Sequence, residues 1–126
     1  MTASLKHVSF LTADADAVIA FYTLLGGALG KDSQAEDGLR RVVLGFAGGG
    51  KLQFFQAAGQ EPRPHPGWQE HIALHLENLE SSLAQLRQSG VTFSRELTLS
   101  PSGNPVAFVL DPDGRQVELL QGQRES

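Results

Sequence analysis

The chain has 126 residues, 40% hydrophobic and 19% charged, which fits one ordinary globular domain or two small halves sharing a fold and excludes a disordered chain. A net charge of −4 with scattered basic residues argues against nucleic acid or an anionic membrane as partner. Without cysteine there is no disulfide framework, thiolate metal site or thiol nucleophile; without a ~20-residue apolar run or a visible secretory signal, a cytoplasmic protein is expected.

In chain order, residues 4–11 alternate as a strand, with Val8 and Phe10 on one face and Leu5, His7 and Ser9 on the other. Asp14 or Asp16 offers a helix N-cap, Val18, Tyr22 and Leu25 recur at helical spacing, and Gly26-Gly27 stops the helix. A short strand is expected near Gly30–Ser33. Residues 39–46 and 51–56 read as strands joined by the Gly48-Gly49-Gly50 turn. Pro62, Pro64 and Pro66 make residues 57–70 a linker, in which His65 is a solvated residue without function. Residues 71–76 form the next strand, followed by a helix from Asn78 through Leu83 and Leu86 to Gly90. Further strands follow, one near 91–97 and a closing pair turning at Asp111-Pro-Asp-Gly114.

The two halves repeat. At an offset of 64, His7 falls on His71, Val8 on Ile72, Phe10 on Leu74 and Gly26 on Gly90. At an offset of 65, Lys51-Leu-Gln-Phe-Phe-Gln56 falls on Gln116-Val-Glu-Leu-Leu-Gln121. The prediction is therefore an α+β domain of two βαβββ modules, 1–56 and 71–126.

Side chains alternate across a strand, so a helix packed on one face takes every second residue. Val8 and Phe10, Leu52 and Phe54, Ile72 and Leu74, and Val117 and Leu119 are assigned to the helix side. The opposite faces then carry His7, Gln53, His71 and Glu118, related in pairs by the duplication. Two imidazoles and a carboxylate, with a carboxamide oxygen as a possible fourth donor, are what a divalent first-row metal accepts. Taken singly, a histidine at a strand start is more often a hydrogen-bonded, half-buried residue, and Glu118 and Gln53 more often solvated. Four such residues at symmetric positions are harder to explain as independent surface accidents. His75 shares the face of His71, where a plain sheet-face histidine is the commoner case. Phe46, Phe55, Trp68 and Leu120 are candidate pocket walls, and Arg40, Arg41, Lys51 and Arg95 candidate anion-binding cations; core packing and a solvated surface are the commoner roles.

Leu5–Leu11 with its histidine, Ala20-Phe-Tyr22 with Leu25-Gly26, His71-Ile-Ala-Leu74, and Phe108-Val-Leu-Asp-Pro-Asp-Gly-Arg-Gln-Val-Glu118-Leu carry a family resemblance. The chain resembles the vicinal oxygen chelate superfamily, which includes glyoxalase I, extradiol dioxygenases, fosfomycin-resistance thiol transferases and bleomycin-resistance proteins. That resemblance implies paired modules forming an incomplete barrel around a divalent ion (Ni, Co, Mn, Fe or Zn) and a homodimer in which modules pair across subunits. Glyoxalase-like ligands would be His7, Gln53, His71 and Glu118. Bacterial glyoxalase I typically has Glu where this chain has Gln53, and a carboxamide cannot act as a base, which leaves Glu118 as the base for proton abstraction. Without Gln53, the two-His-one-carboxylate set also resembles the sites of the dioxygenases and thiol transferases. In the latter a hydroxyl residue two after the first ligand meets substrate, as Ser9 would. Ser9, Phe55, His75 and Leu120 are the expected substrate pocket. The implied function is a metal-dependent enzyme chelating neighbouring oxygens of a small molecule; the competing expectation is a metal-free binding protein of the bleomycin-resistance type.

Overall fold

The structure, a computed structural model, describes residues 1–122; the end of the second predicted module, residues 123–126, lies outside the described residues. Two compact units follow each other, Met1–Arg63 and Pro64–Ser126. The first holds β1 (Val8–Leu11), α1 (Ala15–Leu24), β2 (Ala28–Gln34), β3 (Arg40–Gly45) and β4 (Lys51–Gln56), with sheet order β1-β4-β3-β2. The second holds β5 (His71–Leu76), α2 (Leu79–Gln88), β6 (Phe93–Leu99), β7 (Pro105–Leu110) and β8 (Gln116–Gln121), ordered β5-β8-β7-β6. Each is an α+β module of βαβββ type, as the repeat predicts. In both sheets the first and last strands run parallel and the other neighbours antiparallel.

The helices start and stop by the same chemistry in both modules. Asp14 is the N-cap of α1 and accepts from the Ala17 amide at 3.1 Å; Asn78 caps α2 and accepts from the Ser81 amide at 3.1 Å. At the other end Gly26 and Gly90 take the left-handed conformation, at φ +92° and +80°. The next amides, of Gly27 and Val91, then reach back to the carbonyls of Tyr22 and Leu86 at 2.8 and 3.1 Å. These are paired Schellman stops, available cheaply only to glycine. Gly27 also lies against the helix, since a Cβ there would stand 2.9 Å from the Tyr22 carbonyl oxygen.

A third device links sheet to helix. The Gln56 side chain at the end of β4 accepts from the Ala15 amide at 2.7 Å, and Gln121 at the end of β8 accepts from the Leu79 amide at 3.0 Å. Ala15 and Leu79 are buried, so these amides need a partner other than water.

The helix-facing rows form the cores. Val18, Phe21 and Tyr22 pack over Val42, Leu44 and Phe54, with the Tyr22 and Phe54 rings stacked at 5.4 Å. In the second module Leu79, Leu83 and Leu86 are buried together with Ala107, Val109, Val117 and Leu119. Each such leucine contributes about 1.5–3 kcal/mol of burial. Phe46, a predicted pocket wall, instead faces the Gly27 backbone, 3.4 Å from where a Cβ would stand.

Several boundaries differ from expectation. β1 begins at Val8, so Leu5, Lys6 and His7 precede it instead of lying within a strand over 4–11. Val8 pairs with Leu52, and the same register would set Lys6 and Leu5 against Gly50 and Gly49, which sit in a turn at φ +90° and +110°. No ladder extends into such a turn. Val8, assigned to the helix side, is 42% exposed, because an edge strand has a neighbour on one side only. β2 runs longer than expected and β6 begins two residues later, at Phe93, and both are broken by register shifts. Among the described residues no helix is long and apolar enough to cross a membrane.

Replacing Gln56 or Gln121 by leucine strands a buried amide, and each change should cost about 1–3 kcal/mol. Urea unfolding monitored by circular dichroism should show the loss; an unchanged midpoint in both variants would contradict this role for the two glutamines.

Candidate metal and substrate site

The parallel pairing of first and last strands sets which side chains stand together. In the first module Ser9 is the register partner of Gln53; in the second, His71 pairs with Gln116, Ala73 with Glu118 and His75 with Leu120. Residues two apart share a face, so each module presents one histidine next to the side chain at position 53 or 118.

In the second module the His71 ring is oriented from both sides. Its Nδ1 lies 2.5 Å from the Trp68 carbonyl oxygen, which can only accept, so Nδ1 carries the proton. The Phe108 ring meets it edge-on at 5.4 Å. The remaining Nε2 stands 3.8 Å from Glu118 Oε1, with the two side chains 23% and 22% exposed. That gap is too long for a hydrogen bond. As an ion pair at this exposure it is worth at most about 1 kcal/mol, less than a single core leucine. Two ligands of one ion, at bonds of about 2.1 Å and a tetrahedral angle, stand about 3.4 Å apart. A ring nitrogen free to coordinate, its other nitrogen donating to a backbone carbonyl, and a carboxylate beside it therefore fit half of a metal set.

The supports of this pair come from the stretch predicted as a plain linker. Gln116, buried, donates to the Pro66 carbonyl at 3.3 Å and accepts from Ser94 Oγ at 2.7 Å. The Pro66–Trp68 backbone is thus held to the strand pair that carries the site. His65 only accepts from the Gly67 amide at 2.9 Å, a local turn.

The first module is built differently. Gln53 is buried at 6% exposure. Its Oε1 accepts from Arg41 Nε at 2.6 Å, and its Nε2 lies 3.1 Å from Ser9 Oγ and 3.3 Å from His7 Nε2. His7 itself is half-buried. The structure brings His7, Ser9 and Gln53 together and adds Arg41. At the position of Arg41 in the repeat the second module has Val106, at that of Ser9 it has Ala73, and at that of Gln53 it has Glu118.

The other expected residues fall in order along the same faces. Phe55 pairs with Leu11 beyond Ser9 and Gln53, as Leu120 pairs with His75 beyond Ala73 and Glu118. Arg95 lies over the Phe108 ring at 5.6 Å. Arg40 is no anion-binding cation: it is held by Asp32 and Asp16, each at 2.9 Å, and it keeps the Asp32 carboxyl below the usual carboxylate range. Alternation on β3 explains why Arg40 and Arg41 serve opposite faces. Trp68 is 54% exposed and joins the site through its backbone.

Among the described residues no group of three or more His, Asp or Glu side chains is arranged to hold a metal ion. A cavity of about 500 Å³ in the first module is lined by Thr12, Gln56, Ala57, Gln60, Glu61 and Arg63, among others, and contains none of the expected site residues.

The His71 geometry has a direct spectroscopic consequence. With the ring neutral, its side-chain 15N signals should report Nδ1–H and a bare Nε2. A dominant Nε2–H form would mean that the Trp68 carbonyl does not orient this ring.

Residues 4–119 match the family model described as Glyoxalase/Bleomycin resistance protein/Dioxygenase superfamily. The chain is 30% identical to the lactoylglutathione lyase of Salmonella typhimurium over 94% of its own length and 93% of that protein. It is also 30% identical to a probable lactoylglutathione lyase of Synechocystis, covering 93% and 94% of the two chains. The trypanothione-dependent glyoxalase I of Leishmania major superposes with a TM-score of 0.78 at 30% identity, over 95% of this chain and 87% of that one. Glyoxalase I of Zea mays superposes at a TM-score of 0.80 but 22% identity, over 94% of this chain and 44% of that one, a likeness of fold. The duplicated modules, the matched residues and these relatives together make the chain a member of the glyoxalase/bleomycin resistance/dioxygenase superfamily.

Proposed function

We propose that this protein is a metal-dependent lyase or isomerase of the lactoylglutathione-lyase type, in which His7, His71 and Glu118 hold one divalent ion. The observation that carries the reading is the His71–Glu118 pair. The Trp68 carbonyl holds the imidazole through Nδ1, which leaves Nε2 bare whenever the ring is neutral, and a carboxylate oxygen lies 3.8 Å away without a hydrogen bond between them. Full-length likeness to lactoylglutathione lyases supports the reaction class.

A divalent ion held there would supply Lewis acidity toward neighbouring oxygens of a small substrate. The protein's own residues do the rest. Glu118 takes a proton from the carbon beside a substrate carbonyl and returns it to the adjacent carbon, as the one carboxylate among the four expected ligand residues. His71 keeps its orientation through Trp68 and Phe108. Ser9, Phe55, His75 and Leu120 border the same faces and are assigned to the substrate. Because each module carries only part of the donor set, the proposal includes a homodimer that brings His7 of one chain to His71 and Glu118 of another. A cytoplasmic location and a small-molecule partner complete it.

Metal analysis of purified protein tests this. One equivalent of nickel, cobalt, manganese, iron or zinc per site is expected, with affinity reduced at least ~100-fold in His71→Ala. Nickel or zinc points to isomerisation and iron to oxygen chemistry. Glu118→Gln should lower turnover to lactoylglutathione by about 10²–10⁴-fold. Mixing His7→Ala and His71→Ala chains should restore partial activity where the site spans two subunits. Protein that takes up no metal, yet is stabilised by an apolar drug, would replace this reading with ligand sequestration.

A further inference from the structure

The first module's half of the site is occupied by its own side chains. A guanidinium can only donate, so the atom of Gln53 facing Arg41 Nε at 2.6 Å is the carbonyl oxygen. This fixes the carboxamide orientation, which is ambiguous for a glutamine without such a partner. The amide nitrogen then points the other way, 3.1 Å from Ser9 Oγ and 3.3 Å from His7 Nε2. Both its hydrogens have acceptors, and the His7 nitrogen receiving one of them cannot itself carry a proton. Gln53 is buried, so no water competes for these contacts at low cost.

We infer that Gln53 is a positioning residue and not a metal ligand: Arg41 captures its oxygen, and its amide caps the Nε2 lone pair of His7. The oxygen, its one metal-binding atom, already has a cation beside it, and a divalent ion there would face the Arg41 charge. The amide meanwhile competes with any metal for His7. The consequence is opposite in the two modules. His71 is locked by an acceptor at Nδ1 that leaves Nε2 bare, whereas His7 is locked by a donor that covers Nε2. The equivalent of Arg41 in the second module is Val106, so Glu118 has no such captor at that position. Metal entry at His7 must therefore displace Gln53, and the clamp weakens binding that the bare histidine would give.

What this means for metal rests on the proposed function; the clamp itself does not, and the two are separable by experiment. Side-chain 15N spectra of the metal-free protein, with its rings neutral, should show His7 as the Nδ1–H form. In Arg41→Met the carboxamide is free to turn, and His7 should become a mixture of both forms. The ring signals of Tyr22 and Phe54, stacked in the core of the same module, report whether the variant is folded. In metal titrations followed by Trp68 fluorescence, Gln53→Ala should bind about two- to tenfold more tightly than the parent protein, the span expected from losing one hydrogen bond. A dominant Nε2–H form of His7 in the unmodified protein overturns the clamp, as does a tenfold or greater loss of metal affinity in Gln53→Ala. If the unmodified protein binds no metal, the proposed function fails while the His7 tautomer still decides the clamp.

Discussion

The parallel register between the first and last strand of each module is the constraint on which the site depends. It sets Ser9 against Gln53 and Ala73 against Glu118, and so decides which residues lie near His7 and His71. A shift of one residue would send Gln53 and Glu118 toward the helices and bring Leu52 or Val117 to the opposite face. Such a slip is costly because the other face is already fully used. Leu52, Phe54, Val117 and Leu119 are buried under the helices, each at about 1.5–3 kcal/mol. Gln56 and Gln121 add a directional lock, since each accepts a helix-start amide only from its own place on the strand.

Duplication then supplies the same cradle twice, and three positions make the copies chemically unlike. Ser9, Gln53 and Arg41 give the first module a hydrogen-bond network that carries a fixed positive charge at one end. Ala73, Glu118 and Val106 give the second a carboxylate in a less polar setting. Such a carboxylate, beside an imidazole whose Nδ1 is already held by a carbonyl, is suited to a cation; a carboxamide held by a guanidinium is not. The likeness of the modules is one of backbone and core, while the division of labour sits in side chains that the core does not constrain.

Much of this was legible in the residues. The repeat, both helices with their caps and glycine stops, the closing turns and the shared faces of His7, Gln53, His71 and Glu118 follow from periodicity and turn chemistry. The start of β1 did not, because it depends on its partner's Gly49-Gly50 turn rather than on residues 4–7 themselves. The role of Trp68 was invisible for a different reason: it acts through a carbonyl oxygen that every residue possesses. The Pro-rich composition of residues 57–70 correctly excluded a helix interior or central strand there, but composition says nothing of which carbonyls the segment lends to Gln116 and His71. Arg41 appeared only as one cation among four. Alternation on β3 separates it from Arg40, yet which group it meets across the sheet requires the antiparallel register with β4.

The fate of Arg41 shows how one side chain alters what a repeated geometry can do. With a carboxylate opposite, a guanidinium would form an ion pair that leaves the other carboxylate oxygen and a net neutral local charge. With Gln53 opposite, the positive charge stays uncompensated within that contact, and the amide dipole turns its hydrogens toward His7. Both effects oppose a second cation in the first module, one by charge and one by occupying the lone pair. Glu118 and His71 have neither obstacle in the contacts described for them. Of the two modules, the second is therefore the better suited to a first contact with a cation.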